Sequence, residues 1–342
     1  MEEVFLENLD ILDLLKDEYG IQAKSIEKIK GAYRVESDEK LYCFKVVKYE
    51  LPHFLFILSA IKHLDNSGFR YGPKIIKTVN NREYVSIDEY FAYVTEWING
   101  RIVSYDNPIE LSLASRKLAE LHKASEGFTV EKYMKPRVGW FKWIEVYRTR
   151  RCEILDFRDR IYSKKHKTTF DLYYLQLMED ALEACDNSIF NLCNSRYEVR
   201  MLEEIYNGGF CHHDYAHHNI LIDNNNELNI IDFDYCILDT HLHDLASLLS
   251  RSMKYDKWCD ERMKIILKSY NEVFEVKQED FEIMAAFLEF PQDYWQRGIQ
   301  YYWENKSWDE DFFIKKLKAY SDDRENRKLF IDNLRNFKIN NL

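Results

Sequence analysis

Apolar positions recur in two rhythms along this 342-residue chain, and the change from one to the other divides it. Val4, Leu6, Leu9, Leu12 and Leu15 fall at near-three-residue steps, which predicts an amphipathic helix over residues 4–18. Strand-like stretches follow at Ile26 to Val35 and Tyr42 to Val47, joined by the polar turn Glu36-Ser37-Asp38-Glu39. Pro52 suits a first helical turn, and Phe54, Ile57, Leu58, Ile61 and Leu64 then form an apolar stripe that stops near Gly68. Strand signals resume at Lys74 to Val79 and Arg82 to Ile98, broken by Asn80-Asn81.

Beyond residue 109 the helical period takes over. Leu111, Ala114, Leu118 and Leu121 mark one helix, and further helices are predicted near 141–161, 170–190, 196–207 and throughout 241–342. The exception lies between residues 210 and 238, where Ile220-Leu221-Ile222 and Leu228 to Ile231 flank Asp223-Asn224-Asn225-Asn226 and predict a small hairpin. The pattern therefore predicts an α+β protein of two lobes: a sheet-rich lobe over 1–98 and a larger helical lobe over 99–342, joined near Glu96 to Gly100.

Composition narrows the function classes. A formal charge of −11 gives no general attraction for nucleic acid, local basic patches aside. No apolar run reaches the roughly 18 to 20 residues of a membrane span, and the start MEEVFLENLD is acidic where a signal peptide is basic. Cytoplasmic synthesis with no membrane partner is the expectation. The seven cysteines form no CxxC pair and read as reduced thiols.

The chemistry concentrates in Cys211-His212-His213-Asp214-Tyr215-Ala216-His217-His218-Asn219, followed by Ile230-Ile231-Asp232-Phe233-Asp234. Asp214 and Asn219 precede a strand and Asp232 ends the next, so the three can converge at one end of the hairpin. An amide oxygen and a carboxylate are hard ligands suited to Mg2+, and a second carboxylate can orient a hydroxyl and receive its proton during phosphoryl transfer. The bland reading, turn capping by polar side chains, explains isolated DxxxxN spacing as well, but not its combination with an apolar-flanked DFD. The paired histidines 212/213 and 217/218 point apart in extended chain, which argues against zinc and leaves His212 to packing and hydrogen bonding beneath the loop.

These residues resemble the protein-kinase-like superfamily, in particular its aminoglycoside and choline kinase branch, whose HxDxxxxN loop appears here as His212, Asp214 and Asn219. The similarity is closer to the CotS family of bacterial spore-coat proteins, through HHDYAHHNIL, the run 230–249, Gly139-Trp140 and the segment 290–308. The resemblance implies ATP and Mg2+ as cofactors, Asp214 as the base, and Asn219 and Asp232 as metal ligands. It assigns Lys45 to the α and β phosphates, with Lys48 on the opposite facing as the competing choice. It places adenine against backbone groups of Glu96 and Ile98 and phosphate beside Gly31. Asp244 would brace the site, although capping of its own helix also suits it. Mother-cell synthesis, a final place in the spore coat, and coat proteins as partners follow from the same resemblance.

Two departures bear on turnover. Gly31 is the only glycine in the nucleotide loop, and the helix 52–66 offers no glutamate to pair with Lys45, so that Asp232 is left as its candidate partner. An ATP-dependent kinase acting on a small molecule or coat component is therefore set against a non-catalytic coat scaffold that keeps the fold. A protein-kinase reading lacks an APE-like segment after Asp232. Glu289, Asp293 and Glu304 either line a groove for a cationic alcohol or amine, or face solvent.

Overall fold

The computed structural model describes residues 8–342. Helix α1 (Asn8–Tyr19) accounts for most of the expected first helix; Val4 and Leu6 lie outside the described residues. Next come β1 (Ala23–Ile29), β2 (Ala32–Ser37) and β3 (Leu41–Val47). The stretch Ile26 to Val35, expected as one strand, is a hairpin instead. Lys30 adopts φ 53°, and the chain reverses there to pair Ile29 with Ala32. Lysine rarely takes this conformation, so no Asn-Gly or Asp-Gly signal announced the turn.

Helix α2 (Leu51–Asn66) matches its predicted stripe, and β4 (Ile75–Ile76), β5 (Val85–Ile87) and β6 (Tyr90–Glu96) complete the lobe. The expected strand 82–98 is likewise divided, with Asp88 at φ 50° turning β5 back onto β6. The sheet is antiparallel in the order β1-β2-β3-β6-β4, and β5 also pairs with β6. Its two faces are covered differently. Ile11 and Leu15 of α1 pack with Val35, Phe44 and Val94, whereas Phe54 and Leu58 of α2 pack with Val47 and Tyr93. The other side of α2, with Phe56, Ile57, Ile61 and Leu64, enters the core of the large lobe. Apolar positions on two sides suit a helix packed between two layers, and its exposed Lys62 marks the remaining solvent side.

Between Glu96 and Gly100 the chain changes sheets. Strand β7 (Gly100–Ile102) pairs with β8 (Ile220–Asp223), which pairs with β9 (Leu228–Ile230), so the predicted hairpin gains the interlobe segment as its third strand. Gly100 is required by close approach: a Cβ there would stand 2.7 Å from the Ile222 carbonyl oxygen. Helix α3 (Pro108–Ser125) begins under the Asn107 side chain, which accepts from the Ile109 amide. Then come α4 (Trp143–Ser163), α5 (Thr169–Gln176), α6 (Met178–Asn194) and α7 (Tyr197–Asn207). The helix expected over 170–190 is thus two, because the chain breaks at Leu177 after the Thr168–Asp171 capping box has started α5.

The C-terminal helices are α8 (Leu242–Met253), α9 (Asp260–Asn271), α10 (Asp280–Glu289), α11 (Gln292–Gly298), α12 (Glu310–Asp322) and α13 (Arg324–Arg335). The late aromatic run divides by environment. Tyr294 is buried and stacks on Tyr174 at 4.1 Å, Tyr302 is buried against Phe157, and Trp303 and Trp308 remain exposed. Among the described residues, no helix is long and apolar enough to cross a membrane.

The linker strand yields a direct test. Gly100→Ala forces a methyl group onto the β8 backbone and should cost about 1–3 kcal/mol of stability, read by denaturant melts. An unchanged midpoint would mean that β7 is not held against β8 as described.

Candidate active site

One buried carboxylate organises the loop after Cys211. Asp244, in the first turn of α8, accepts from the His212 amide at 2.7 Å and the His213 amide at 2.9 Å, and meets His122 Nε2 at 3.2 Å. Burial opposes its charge, but hydrogen bonds from His122 and His243 hold the carboxyl well below the usual carboxylate range. His122 on α3 is fixed in turn by the Tyr270 hydroxyl of α9 at 2.6 Å. Of the two roles open to Asp244, bracing is the one its contacts describe. His122, Cys211 and Asp244 have ligand atoms within 4.8 Å of one another, but their donors and acceptors are occupied. The Cys211 thiol contacts the Thr240 carbonyl at 3.0 Å, and burial pushes it far up. This triple is a hydrogen-bonded knot under the loop.

His212 passes that constraint onward. Its Nδ1 accepts from the Asp214 amide at 3.3 Å, so the proton resides on Nε2, which donates to the Ile231 carbonyl at 3.0 Å. One buried ring therefore ties Asp214 to the residue preceding Asp232, the packing and hydrogen-bonding role read for it. The Ile231 amide donates to the Asn219 carbonyl at 2.9 Å, which closes the circuit. Asn219 Nδ2 reaches both the Asp214 carbonyl and Asp214 Oδ2 at 3.0 Å, leaving the amide oxygen free of donors among the described residues. Asp214 Oδ1 is held by Arg251 of α8 at 2.8 Å. His213 and Asp232 both take φ 67°, a strained backbone for non-glycine residues at the centre of this constellation.

Of the two neighbouring histidine pairs expected to point apart, His217 and His218 do not, because they sit on a single helical turn rather than in extended chain. His213 stacks on His243 with ring centres 4.2 Å apart, while His217 and His218 meet edge to face. None of these four belongs to the metal-spaced group found among the described residues.

Lys45 crosses from the small lobe. Its Nζ lies 2.7 Å from Asp232 Oδ1 and 2.7 Å from Asp234 Oδ1. Burial works to lower its pKa, but Tyr93, Asp234 and Asp232 outweigh that and raise it well above the ordinary lysine value. Lys48 is exposed and sits over the Tyr90 ring. The missing glutamate of α2 is thus answered by two carboxylates of the DFD segment. Asp232 is lowered, as Lys45 overcomes the effect of burial; Asp234, more deeply buried, is raised by desolvation against the pull of Lys45.

The remaining residues sit around this pair. Gly31 occupies the β1–β2 turn with open space where a Cβ would be, and the adjacent Lys30 is near enough to His218 to help lower its pKa, after burial and against Asp214. At the lobe junction the Glu96 amide donates to Lys74 and the Trp97 amide to Leu41, while the Ile98 amide meets no backbone acceptor among the described residues. The Glu96 side chain pairs with Lys40 at 3.0 Å.

Beside Asp214, a cavity of about 940 Å³ opens between α4, α8, α11 and the α12–α13 corner, reached at His213 and Arg251. Of the acids left open between a groove and solvent, Glu289 is paired with Arg335 at 2.7 Å and Glu304 with Lys306 at 3.4 Å, neither of them lining the cavity. Asp293 does line it, paired with Lys254 at 2.8 Å. Arg251 and Asp234 were overlooked as site residues. Asp234 had a signal, as the second acid of DFD; Arg251 lies seven residues after Asp244, two turns along the same helix face, which helical spacing alone would have shown.

A small antiparallel sheet above a helical lobe, with Lys45 facing Asp232 across the gap and Asp214 held by Arg251 of the cavity wall, is the two-lobed protein-kinase-like fold. Solved structures agree on that fold. The chain superposes on an aminoglycoside phosphotransferase from Alicyclobacillus acidocaldarius with TM-score 0.83 at 19% identity, covering 98% of this chain and 97% of that one. It superposes on spectinomycin phosphotransferase APH(9)-Ia, solved with ADP and spectinomycin, with TM-score 0.73 at 17% identity over 96% and 98% of the two chains. Within that fold the chain belongs to the family described as spore coat putative kinase YutH, whose model matches residues 12–334. It is also 23% identical over 316 residues to spore coat protein S of Bacillus subtilis strain 168, spanning 92% of this chain and 89% of that protein.

The buried loop has a proton signature. Burial and the neighbouring His243 push His213 from 6.5 down to about 3. The unfolded chain takes up this proton below its ordinary pKa while the folded chain refuses it, so stability should fall as pH drops through that window, by about 1.4 kcal/mol per pH unit for one proton. Denaturant melts across the window should show a shallower slope for His213→Gln; an equal slope would place the proton elsewhere.

Proposed function

We propose that this protein transfers the γ-phosphoryl group of ATP to a hydroxyl of a small molecule or coat component. The observation that carries the reading is the 2.7 Å approach of Lys45 to Asp232 across the lobes, with Asp214 tied to the same segment through His212. In this reading Lys45 leaves its carboxylates for the α and β phosphates, the Gly31 turn admits phosphate, and backbone groups of Glu96 and Ile98 receive adenine. The Asn219 amide oxygen and the Asp232 carboxylate are hard oxygen donors on adjoining backbone, a set that suits Mg2+. When bound, Mg2+ would neutralise charge on the phosphate oxygens.

Asp214 does the work that belongs to the protein. Arg251 and Asn219 fix its two oxygens in position, and the entering hydroxyl shares Oδ1 with Arg251. The acceptor oxygen bonds to the γ phosphorus, the bond from that phosphorus to the β–γ bridging oxygen breaks, ADP leaves, and the hydroxyl proton passes to Asp214.

The competing reading is a non-catalytic scaffold of the coat, a neighbour of the CotS proteins made in the mother cell and deposited on the spore. It draws on the apolar face of α7, where Leu202 and Tyr206 are 61% and 92% exposed.

Labelled ATP with Mg2+ and a metabolite panel separates the two. Asp214→Asn should leave ATP affinity nearly unchanged and lower turnover by about 10²-fold or more. A variant with wild-type turnover would remove Asp214 from the base role. Asp232→Asn should abolish the gain in ATP affinity that Mg2+ confers while melting near the wild type. Calorimetry with no ATP binding to folded wild type at millimolar nucleotide would end the cofactor assignment.

A further inference from the structure

The cavity beside Asp214 has the wrong charge for the rest of the molecule. The chain is −11 overall, yet seven lysines and arginines against five acids line this cavity. The acids are already engaged. Asp239 accepts from Trp143 Nε1, Glu153 from Trp295 Nε1, and Asp323 from the amides of Tyr255 and Asp256. Glu145 pairs with Lys142, and Asp293 with Lys254.

The cations are not so matched. Among the described residues, no carboxylate lies within ion-pair distance of Arg150, Arg297, Lys316 or Arg327. Arg150 donates to Gln292 at 2.6 Å and lies 4.1 Å over the Trp295 ring; Arg297 donates to Gln300 and Gln296; Lys316 donates to the Tyr255 hydroxyl and lies over the Tyr255 and Phe312 rings; Arg327 lies over the Tyr320 ring. Each guanidinium has five N–H donors, so several remain for a ligand. Desolvation lowers both Arg150 and Arg297, outweighing the pull of Glu153 on the first and of Asp293 on the second, neither of which is in direct ion-pair contact. Around Asp293, burial is outweighed by Lys254, Arg327 and Arg297 together, three cations converging on one carboxylate. Trp258, Trp295 and Tyr320 add flat apolar walls in the same cavity.

We propose that the acceptor is an anionic saccharide, a sugar phosphate or a uronic acid, whose hydroxyl meets Asp214 while its acid group lies on Arg297 and Arg327. This rests on the kinase reading of the same site and specifies its substrate. Aromatic walls receive the ring, the unpaired guanidiniums receive the phosphate or carboxylate in fork geometry, and Arg251 with His213 marks the passage to Asp214. A cationic amine or choline head would meet acids already bonded and cations that repel it. The transfer balances as before: acceptor oxygen to γ phosphorus, ADP released, hydroxyl proton to Asp214.

The test uses the full chain with labelled ATP and Mg2+ and offers glucose 1-phosphate, glucose 6-phosphate and glucuronate against glucose, glucosamine and choline. Calorimetry of each compound without nucleotide runs in parallel. At least one anionic sugar should bind and be phosphorylated, with kcat/KM about a hundredfold above glucose, and its affinity should weaken as salt rises. Preference for the sugar phosphates or for glucuronate identifies the source of the acid group. Arg297→Gln and Arg327→Gln should each raise KM about tenfold while kcat stays within about twofold. Lys316→Gln, on the open rim, supplies a third variant should either arginine prove necessary for folding. Preferential phosphorylation of glucosamine or choline would overturn the proposal and leave the kinase reading intact. Binding of an anionic sugar that the arginine variants lose, without any transfer, would support this cavity assignment and refute the kinase. No binding of any of the three anionic sugars at millimolar concentration would overturn it.

Discussion

The arrangement depends on a carboxylate that no solvent reaches. Asp244 would be costly to bury alone, and what offsets the cost is the pair of loop amides and the imidazole it accepts from. Hydrogen bonds to a charged group are worth about 1.5–3 kcal/mol each, against about 1 for neutral ones. That difference lets a loop with a left-handed His213 persist in one conformation. From Asp244 the constraint runs to His212, and from the two nitrogens of His212 to Asp214 and to Ile231 beside Asp232. The three candidate side chains, separated by up to eighteen positions, are thus referred to one anchor on α8, itself tied to α3 and α9 by His122 and Tyr270.

The small lobe is attached by different means. Helix α2 spends its surface on packing: one side lies against the sheet and the other is part of the large-lobe core. A glutamate aimed at Lys45 from such a helix would compete with the apolar burial that holds the lobes together. The lysine finds its charges across the gap, in Asp232 and Asp234. Two carboxylates sharing one ammonium cannot both be equally favoured as anions, and the opposite shifts of Asp232 and Asp234 express that conflict. Lys45 in this structure therefore closes the site from within, and a polyphosphate has a pair of neighbouring acids to separate from it.

What the sequence displayed follows from how local each interaction is. The stripe of α2 and the Asp223 to Asn226 turn are written within a few residues, Asp214, Asn219 and Asp232 fall within one short stretch of chain, and the elements appear where they point. The turns at Lys30 and Asp88 are poorly signalled: lysine rarely takes positive φ, and Asp88, which takes it more readily, is followed by Glu89 where a hairpin turn usually has glycine. The choice between groove and solvent for Glu289, Asp293 and Glu304 stays open along the chain for a related reason. Glu289 is neutralised by a residue on α13 and Asp293 by one at the end of α8, partners that no window along the chain brings together. Asp244 was legible as a candidate, but its choice between capping and bracing is made by the loop folding over it.

Net charge and site charge answer to different lengths. At physiological ionic strength the field of an exposed charge decays over about 8 Å, so much of the −11 spread over this surface is screened before it reaches the depth of the cavity. Arg150 and Arg297, partly desolvated and in no direct ion pair, are screened far less. An anion approaching from bulk meets weak repulsion first and strong, short-range attraction last. Such a site selects at contact, by fork geometry and desolvation, and gains little from long-range steering. The acidic exterior then acts as a filter, discouraging extended polyanions while leaving a compact anionic ligand able to reach the cations within.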